Sequence, residues 1–285
     1  MTAAELLSSQ FTLLISTFVL GLLVGSFLNV VIARLPVMLE IRWRSDCQEF
    51  LRIAHEPRPG AAFNLVVPRS RCPQCGHQIT ALENVPILSY LVLRGRCSEC
   101  GTRISVQYPL VEAVTGMLSV VVAWQFGFSW LTAAALVFTW SLIALTVIDL
   151  HRQLLPDTIV FPLLWLGLLL SPLGLFSDPV SSIFGAACGY LALWSVYWAF
   201  KLLTGKEGMG YGDFKLLAAI GAWIGWQSLP LAILISSATG ASIGLMLMAS
   251  GRHTRGAPIP FGPFLAVGGL CSLLWGPDLN ALYLG

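Results

Sequence analysis

The stretch "KEGMGYGDFKLLAAIGAW", residues 206–223, places the carboxyl group of Asp213 at the entrance of an apolar helix in a chain where charge is rare. Of the 285 residues, 56% are hydrophobic and 11% are charged, and the mean hydropathy is +0.78. A composition this apolar is typical of a polytopic membrane protein rather than of a soluble domain. Most of the chain is therefore expected within a lipid bilayer, where a carboxylate needs a specific reason.

Eight apolar segments are long enough, or nearly so, to form transmembrane helices, which need roughly 20 residues to cross the hydrocarbon. They cover residues 11–33, 110–126, 130–148, 158–176, 181–203, 214–227, 229–249 and 261–276. The first has no basic residues before it and no small-residue cleavage site after it, so it is expected to be a retained span. We predict an all-α polytopic membrane protein with about eight transmembrane helices, of which the sixth and eighth are short.

The lysine and arginine residues assign an orientation, because in short loops they remain on the cytoplasmic side. Ten of the sixteen lie between Arg34 and Arg103, and the other six follow the third, fifth and seventh segments. With eight spans, this pattern puts all sixteen in the cytoplasm and both termini outside. The net charge of +2 then reflects topology. No basic patch interleaved with aromatic residues indicates a nucleic-acid partner.

The one sizeable polar segment, residues 34–109, is expected to form a small cytoplasmic lobe. We therefore divide the chain into a first transmembrane helix (1–33), a cytoplasmic loop domain (34–109) and a membrane-embedded domain of about seven helices (110–285).

Four cysteines in this lobe have the spacing of a metal site. They are Cys72 and Cys75 in "CPQCGH", and Cys97 and Cys100 in "CSEC". Two C-x-x-C turns at about this separation commonly close a tetrahedral zinc site, and a lobe this small gains much of its stability from such a metal. We predict structural zinc (Zn2+) bound by these thiolates. A redox-active pair is the alternative, and His77 is a less favoured ligand.

Two acidic side chains stand at the ends of apolar segments, where ionisable groups are costly unless they face a wet cavity or a partner. Asp149 ends the third segment in "ALTVIDLHRQLLPD", and Asp213 opens the sixth. On the predicted topology, both meet the cytoplasmic edge of the bilayer. The other acids have simpler interpretations: a turn or cap for Asp178 and Asp278, a helix cap for Asp157, and a favourable helix dipole for Glu112.

Glycines crowd the chain before Asp213, at positions 208, 210 and 212. Glycine permits positive φ angles and close approach of another backbone, so Gly210 and Gly212 are expected to shape a loop that lays an extended peptide beside the acid. A phosphate-binding loop is the rival interpretation. It is disfavoured because no strand precedes the loop and an acid at the helix start would repel an anion.

Two aspartates at one depth on different helices predict a shared proton, because like charges a few ångströms apart cannot both ionise easily. One then acts as base on a water that attacks a peptide carbonyl, while the other stabilises the oxyanion and donates to the leaving amine. We therefore predict Asp149 and Asp213 as catalytic residues. Two other classes stay open: a transporter whose acids relay protons, and a zinc-stabilised membrane adaptor that needs only the cysteines.

Sequence motifs along nearly the whole chain resemble those of the type IV prepilin peptidase family. They are "GLLVGSFLNVVIARLP", "CPQCGHQI", "ENVPILSYLVLRGRCSECG", "QYPLVEAVTG", "IDLHRQLLPD", "EGMGYGDFKLLAAIGAW" and "PIPFGPFLAVGG". Residues 210–213 match the G-x-G-D element that this family shares with presenilin-like membrane proteases, and Asp149 matches the family's other catalytic aspartate.

This resemblance implies a bifunctional enzyme of the bacterial inner membrane with its active site at the cytoplasmic side. Its substrates would be type IV prepilins and the pseudopilins of type II secretion, which carry a short basic leader ending in glycine before an apolar helix. A second reaction is also implied, methylation of the new amino terminus by S-adenosylmethionine, which in this family is linked to the cytoplasmic loop. The residues themselves place no methyl-donor pocket.

Other residues near the aspartates have two interpretations each. Lys215 tunes the acid pair or anchors its helix at the cytoplasmic side. Glu207 meets the basic side chains of a leader or is only solvated. The stretch "GAPIPFGPF", residues 256–264, begins a helix or lines the active cavity.

Overall fold

The computed structural model describes residues 10–53, 63–250 and 259–284. Residue contacts divide the chain into two compact units, residues 1–128 and residues 129–285. The described part is helical, with two isolated β-bridges in the cysteine-rich lobe, as the predicted all-α class requires. The three-part division at residues 33 and 109 stays a prediction.

The amino-terminal unit contains a long helix α1 (Gln10–Phe50), a short helix α2 (Leu88–Val92) and a helix α3 (Gln107–Phe126). Helix α1 does not end near residue 33 as expected but continues for a further 17 residues, 34 to 50. It passes through Pro36, which costs one backbone hydrogen bond. The residues beyond include good helix formers such as Met, Leu, Glu and Arg, and the polar segment 34–109 is helical at its start.

Small residues allow α1 and α3 to pack closely. A Cβ atom added at Gly21 would lie 2.7 Å from Ser119 Oγ, and one added at Gly25 would lie 2.7 Å from the Glu112 Cα atom. Small residues at such contacts are typical of helices that associate in a membrane, where packing replaces the hydrophobic effect. Glu112 also departs from the sequence interpretation, since it is the sixth residue of α3 and lies beyond the helix's first turn.

Over its described residues, the carboxy-terminal unit contains five α-helices, which we name α4 to α8. They are α4 (Trp130–Arg152), α5 (Asp157–Leu170), α6 (Pro179–Thr204), α7 (Tyr211–Ala249) and α8 (Gly262–Leu284). A short 3-10 helix (Ser171–Leu173) follows α5. Asp178 is the N-cap of α6, and its carboxylate accepts hydrogen bonds from the backbone N–H groups of Val180 and Ser181. This confirms the capping interpretation of Asp178.

Helix α7 is two helical segments joined at a sharp break. Gly225 has φ 75° and ψ 167°, a conformation that is essentially restricted to glycine. The break separates the predicted sixth and seventh segments, 214–227 and 229–249, so the expectation of two helices is confirmed, with the junction three residues earlier than the predicted gap.

The direction of the chain reverses at this break. Ile220, before the break, lies against Gly269 of α8. After it, Ala232 lies against Gly268, and Gly240 lies against Phe264. The second segment of α7 therefore runs antiparallel to α8, and the first segment runs parallel to it. Apart from Lys215, every residue from Asp213 to Gly225 is buried, as expected of a central helix that is apolar on all sides.

Five of the helices are long and apolar enough to cross a membrane, namely α1, α3, α4, α6 and α7. Two shorter apolar helices cover residues 157–173 and 262–276. With α7 counted as two segments, each of the eight predicted apolar segments contains a helix; the fourth, 158–176, ends its α-helix at Leu170 and continues as a 3-10 turn over Ser171–Leu173, and the eighth, 261–276, begins at Gly262. The protein is a multi-pass membrane protein.

Helices α6 and α7 meet at glycines with almost no space between their backbones. A Cβ atom added at Gly185 would lie 2.1 Å from the carbonyl oxygen of Gly221, and one added at Gly189 would lie 2.6 Å from that of Leu217. No side chain fits at such distances, so α6 holds the first segment of α7 in place through these two glycines.

We expect Gly185→Val to destabilise the protein by about 1–3 kcal/mol or more, because overpacking forces the backbones apart. The measurement is the midpoint of thermal unfolding in detergent, followed by tryptophan fluorescence. Ala187→Val, on the exposed face of the same helix, is the matched control and should leave the midpoint nearly unchanged. Equal midpoints for the two variants would contradict the glycine contact.

Candidate functional site

Asp213 lies where the glycine-rich loop enters α7. Gly210 is the N-cap residue with an extended backbone, and Asp213 is the third helical residue, whose backbone N–H bonds to the Gly210 carbonyl at 3.2 Å. Its side chain is buried, with 7% of the residue exposed. Because Asp213 follows the cap position, its buried carboxyl group is not explained as the N-cap of this helix.

Asp149 lies in the last turn of α4 and is buried to a similar degree, at 5% exposure. Its Oδ2 atom accepts a hydrogen bond of 3.0 Å from the backbone N–H of Gly262 at the start of α8. A Cβ atom added at Gly262 would lie 2.6 Å from this same oxygen, so only glycine allows the approach. This contact favours the second interpretation of the "GAPIPFGPF" stretch, although Pro258 lies outside the described residues.

A single leucine lies between the two acidic regions. Cβ atoms added at Gly212 and at Gly262 would both contact the side chain of Leu155, at 3.0 Å and 3.2 Å respectively. The shared contact with Leu155 brings the regions of Asp149 and Asp213 together. In the described part of the chain, neither carboxylate takes part in an ion pair. Two buried acids thus share one site in the carboxy-terminal unit.

Lys215, two residues beyond Asp213, is paired with a different acid. Its Nζ atom lies 2.9 Å from both carboxylate oxygens of Asp157 and 5.3 Å from the centre of the Phe161 ring. The interpretation of Asp157 as a helix cap is wrong, since Pro156 occupies the N-cap position of α5 and the Asp157 carboxylate binds a cation instead. This ion pair ties α5 to the first turns of α7.

Glu207 belongs to a polar cluster at the other end of the glycine-rich loop. The Lys201 ammonium group donates to Glu207 at 2.9 Å and to the Tyr197 hydroxyl at 3.1 Å. The Tyr211 hydroxyl, within the G-x-G-D element, lies 3.5 Å from that of Tyr197. The hydrogen bond from Lys201 lowers the pKa of Glu207 below its ordinary value. This cluster connects the end of α6 to the loop that precedes Asp213.

Sequence reasoning missed Tyr197 and Lys201 in this cluster, and Leu155 between the acids. Tyr197 and Lys201 are four residues apart and so share one face of α6, which is the signal that the sequence offered. Leu155 carries no such signal, because a leucine beside a proline in an apolar chain has no distinctive pattern.

The four predicted cysteines come together in the amino-terminal unit. Their Sγ atoms all lie within 4.8 Å of one another, with Cys72 to Cys100 at 3.7 Å and Cys75 to Cys97 at 3.9 Å. A tetrahedral zinc ion with Zn–S bonds of about 2.3 Å separates its sulfurs by about 3.8 Å. The cluster therefore fits a metal ion such as zinc.

The two cysteine pairs lie on matching turns. In each turn the first cysteine bonds across to the residue five positions later, Cys72 N–H to the His77 carbonyl and Cys97 N–H to the Thr102 carbonyl. Gly76 and Gly101 follow the second cysteines with φ angles of 76° and 70°, which confirms the reason expected for these glycines. Side-chain and backbone hydrogen bonds with Thr102 lower the pKa of the Cys100 thiol to about 6.

Glu83 joins the two turns next to the cysteine cluster. Its carboxylate accepts hydrogen bonds from the Ser98 hydroxyl on the second turn, from the backbone N–H and hydroxyl of Thr80, and from His77. These bonds, that of Ser98 first, hold the pKa of Glu83 at about 2. His77 is thus engaged with Glu83, and the four-sulfur cluster is complete without it.

Comparison with known proteins gives a consistent result in both units. Residues 19–126 match the bacterial peptidase A24 N-terminal domain, and residues 136–245 match the type IV leader peptidase family. The chain is 57% identical to a prepilin leader peptidase/N-methyltransferase of Stutzerimonas stutzeri over 285 residues, which is 100% of this chain and 98% of that protein. No solved structure gives a significant match to the chain.

Two further relatives carry the same name. One, from Pseudomonas aeruginosa, is 53% identical over 279 residues, which cover 98% of this chain and 96% of that protein. The other, from Aeromonas hydrophila, is 55% identical over 267 residues, which cover 94% and 92%. Fold, buried acids and family matches together define a membrane-embedded peptidase. The chain belongs to the type IV leader peptidase family.

We expect Lys215→Gln and Asp157→Asn to lower the thermal midpoint by similar small amounts, and the double variant to lower it by little more than either alone. The stability losses from substituting the two residues of one ion pair are not additive. A largely exposed ion pair contributes at most about 1 kcal/mol to stability. The measurement is a double-mutant cycle in detergent at low and high salt. Fully additive losses would show that Lys215 acts elsewhere.

We expect the purified protein to bind one Co2+ or Zn2+ ion through the cysteine cluster, and the cobalt form to show the charge-transfer absorption of tetrahedral sulfur coordination. Cys97→Ser should lose most of the metal, because one ligand of the site is removed. Cys188→Ser, an exposed cysteine on α6, is the matched control. Full metal content in Cys97→Ser would rule out the four-cysteine site.

Proposed function

We propose that this protein cleaves the basic leader from type IV prepilins and from type II secretion pseudopilins at the cytoplasmic face of the inner membrane, and then methylates the new amino terminus with S-adenosylmethionine. The observation that carries the cleavage half is the pair of buried acids, Asp149 and Asp213, on separate helices of one unit. Family membership and the names of the relatives support both activities.

In the proposed cleavage one aspartate is ionised and takes a proton from water, and that water attacks the scissile peptide carbonyl. The other aspartate is protonated, donates a hydrogen bond to the developing oxyanion and then gives its proton to the leaving amine. The Gly262 N–H orients the Asp149 carboxylate, and burial keeps bulk water away from the pair.

The residues around Asp213 have supporting roles in this proposal. Gly210 and Gly212 let a substrate backbone approach the acid in extended form. Glu207, exposed beside Lys201, attracts the basic leader. Lys215 anchors the start of α7 through Asp157. A basic leader is retained in the cytoplasm. The scissile bond would then lie near the end of α4 and the start of α7.

Zinc at Cys72, Cys75, Cys97 and Cys100 has a structural role in this proposal. Four thiolates leave no open coordination position for water, as in structural zinc sites. The predicted division into residues 1–33, 34–109 and 110–285 then has the metal-bound part as its middle domain. S-adenosylmethionine supplies the methyl group when it is bound.

A transporter or a zinc-stabilised adaptor accounts for fewer of these residues than a peptidase does. A transporter needs acids near the bilayer midplane, whereas both aspartates lie at the ends of their helices. A zinc-stabilised adaptor needs the cysteine cluster but gives no reason to bury two carboxyl groups in the other unit. The peptidase uses both features.

We expect Asp149→Asn and Asp213→Asn each to lower cleavage of a prepilin substrate by at least about 100-fold, since either change removes an acid or base from the pair. Methylation of a pre-cleaved substrate should persist in both variants. Asp178→Asn is the matched control, because asparagine is an equally good N-cap. The measurement is gel-based cleavage and transfer of labelled methyl groups in detergent.

Cleavage that survives either substitution would overturn the aspartate pair and reopen the other two classes. Loss of flux across vesicles in place of cleavage would indicate the transporter, and variants with no defect at all would indicate the adaptor.

A further inference from the structure

The amino-terminal unit contains a cavity that the cleavage chemistry does not use. Its volume is about 510 Å3, within the range of roughly 300–1,000 Å3 that small-molecule sites occupy. It lies between the middle of α1, the first turns of α3 and the cysteine-rich lobe, and its lining includes Ser26, Asn29, Ala33, Tyr90, Tyr108 and Glu112. All of these residues belong to the same compact unit.

Asn29, on α1, has a buried acceptor without a partner. Its Nδ2 group donates to the Tyr108 carbonyl at 3.0 Å, which can only accept, so the amide orientation is set. The Oδ1 atom is left with no hydrogen-bond partner in the described part of the chain, although the residue is only 4% exposed. A buried unpaired acceptor costs about 1–3 kcal/mol, and a donor on a bound molecule would remove that cost.

Glu112, on α3, is a second acceptor without a cation. It is 8% exposed, and its carboxylate accepts the backbone N–H of Ile87 at 2.8 Å and interacts with the Ser26 hydroxyl. Among the described residues no ion pair is formed with it. A buried carboxylate is usually paired with a positive charge, and here the protein supplies only neutral donors.

We propose that this cavity binds the methyl donor, S-adenosylmethionine, with its positive charge facing Glu112 and a donor group facing Asn29. The inference rests on the methyltransferase half of the proposed function. It assigns the donor to Glu112 and Asn29, which the sequence motifs did not single out as a binding site.

The composition of the cavity wall fits such a ligand in three respects. The unpartnered Asn29 oxygen and the Glu112 carboxylate, which has no cation beside it within the described ranges, suit a molecule that carries a sulfonium and an ammonium group. Arg71 and Arg103, both exposed at the wall, suit its carboxylate. The rings of Tyr90 and Tyr108 offer flat apolar surface for its adenine. The cysteine-rich lobe forms much of this wall, so a metal-stabilised lobe would also shape the donor site.

The test measures binding of S-adenosylmethionine to the full-length, metal-loaded protein in detergent by isothermal titration calorimetry. We expect Glu112→Gln to weaken binding at least tenfold, because the counter-charge is lost while an amide oxygen still accepts the Ile87 N–H. Glu49→Gln, at the exposed carboxy-terminal end of α1, is the matched control and should bind like the intact protein. Cleavage of prepilin should be unchanged in both variants.

S-adenosylhomocysteine, which lacks the sulfonium charge, serves as a second probe. A smaller loss of its affinity in Glu112→Gln places the carboxylate at the sulfonium, and an equal loss places it at the shared ammonium group. Either result supports the site.

A second variant fills the cavity without touching Glu112. Ala33 lines the cavity and its side chain is exposed there, so Ala33→Trp should block the donor and abolish binding while leaving cleavage intact. Retained cleavage reports that the variant is folded.

Unchanged affinity in both Glu112→Gln and Ala33→Trp would overturn the assignment, while cleavage and methylation by the intact protein would leave the proposed function standing. A raised KM for pre-cleaved pilin with unchanged donor binding would also overturn it, because the cavity would then hold the amine acceptor. Absence of both donor binding and methylation in the intact protein would remove the methyltransferase half together with this inference.

Discussion

The burial of two carboxyl groups in an apolar helical unit is the constraint on which the carboxy-terminal half depends. A charged group at the edge of a bilayer is tolerated only where the surrounding protein supplies hydrogen bonds or a wet cavity. The Asp149 carboxylate accepts a hydrogen bond from the backbone N–H of Gly262, and Asp213 follows Gly212, where an added Cβ atom would lie 3.0 Å from Leu155. The glycines that begin α7 and α8 are thus a condition for placing the acids, because any side chain at residue 262 would displace the Asp149 carboxylate.

The amino-terminal unit addresses a different difficulty, that of a lobe with little apolar interior. The cysteine-rich part is built from two turns and a five-residue helix, too little to bury a core of its own. Four sulfurs spaced for a tetrahedral ion replace that core, and Glu83 adds hydrogen bonds from one turn to the other. The pKa of Glu83 is held at about 2. The stability that this carboxylate contributes is therefore fully present at pH values above the ordinary pKa of glutamate, and it is lost as the pH falls towards 2.

Much of this arrangement could be predicted from local pattern. The apolar segments, the cysteine spacing and the glycines after each C-x-x-C turn are short-range signals, and each has its counterpart in the structure. The predicted end of the first helix is wrong because the hydropathy of the chain drops at residue 34, whereas its helix propensity does not. Hydropathy reports where the bilayer ends, and a helix has no need to end there.

Contacts between residues that are distant in the chain could not be predicted from the sequence, for a different reason. Asp157 was interpreted from its neighbours in the chain as a cap, yet its partner Lys215 is 58 residues away. Glu112 was likewise assigned to a helix dipole, and its carboxylate instead meets the backbone at Ile87. In both cases the local sequence is consistent with a capping or dipole role, but the carboxylate accepts a hydrogen bond from a residue that is distant in the chain. Such a contact depends on packing, which no local pattern encodes.

The unbroken course of α1 limits how this protein can be rearranged during evolution or engineering. A 41-residue helix is about 60 Å long, roughly twice the thickness of the hydrocarbon layer, and it carries the chain from lipid into water without a joint. Recombination at residue 33 would cut through the middle of that helix. The exchangeable module is instead the whole compact unit that ends at residue 128, so the long apolar helix and the cysteine-rich lobe would be transferred together.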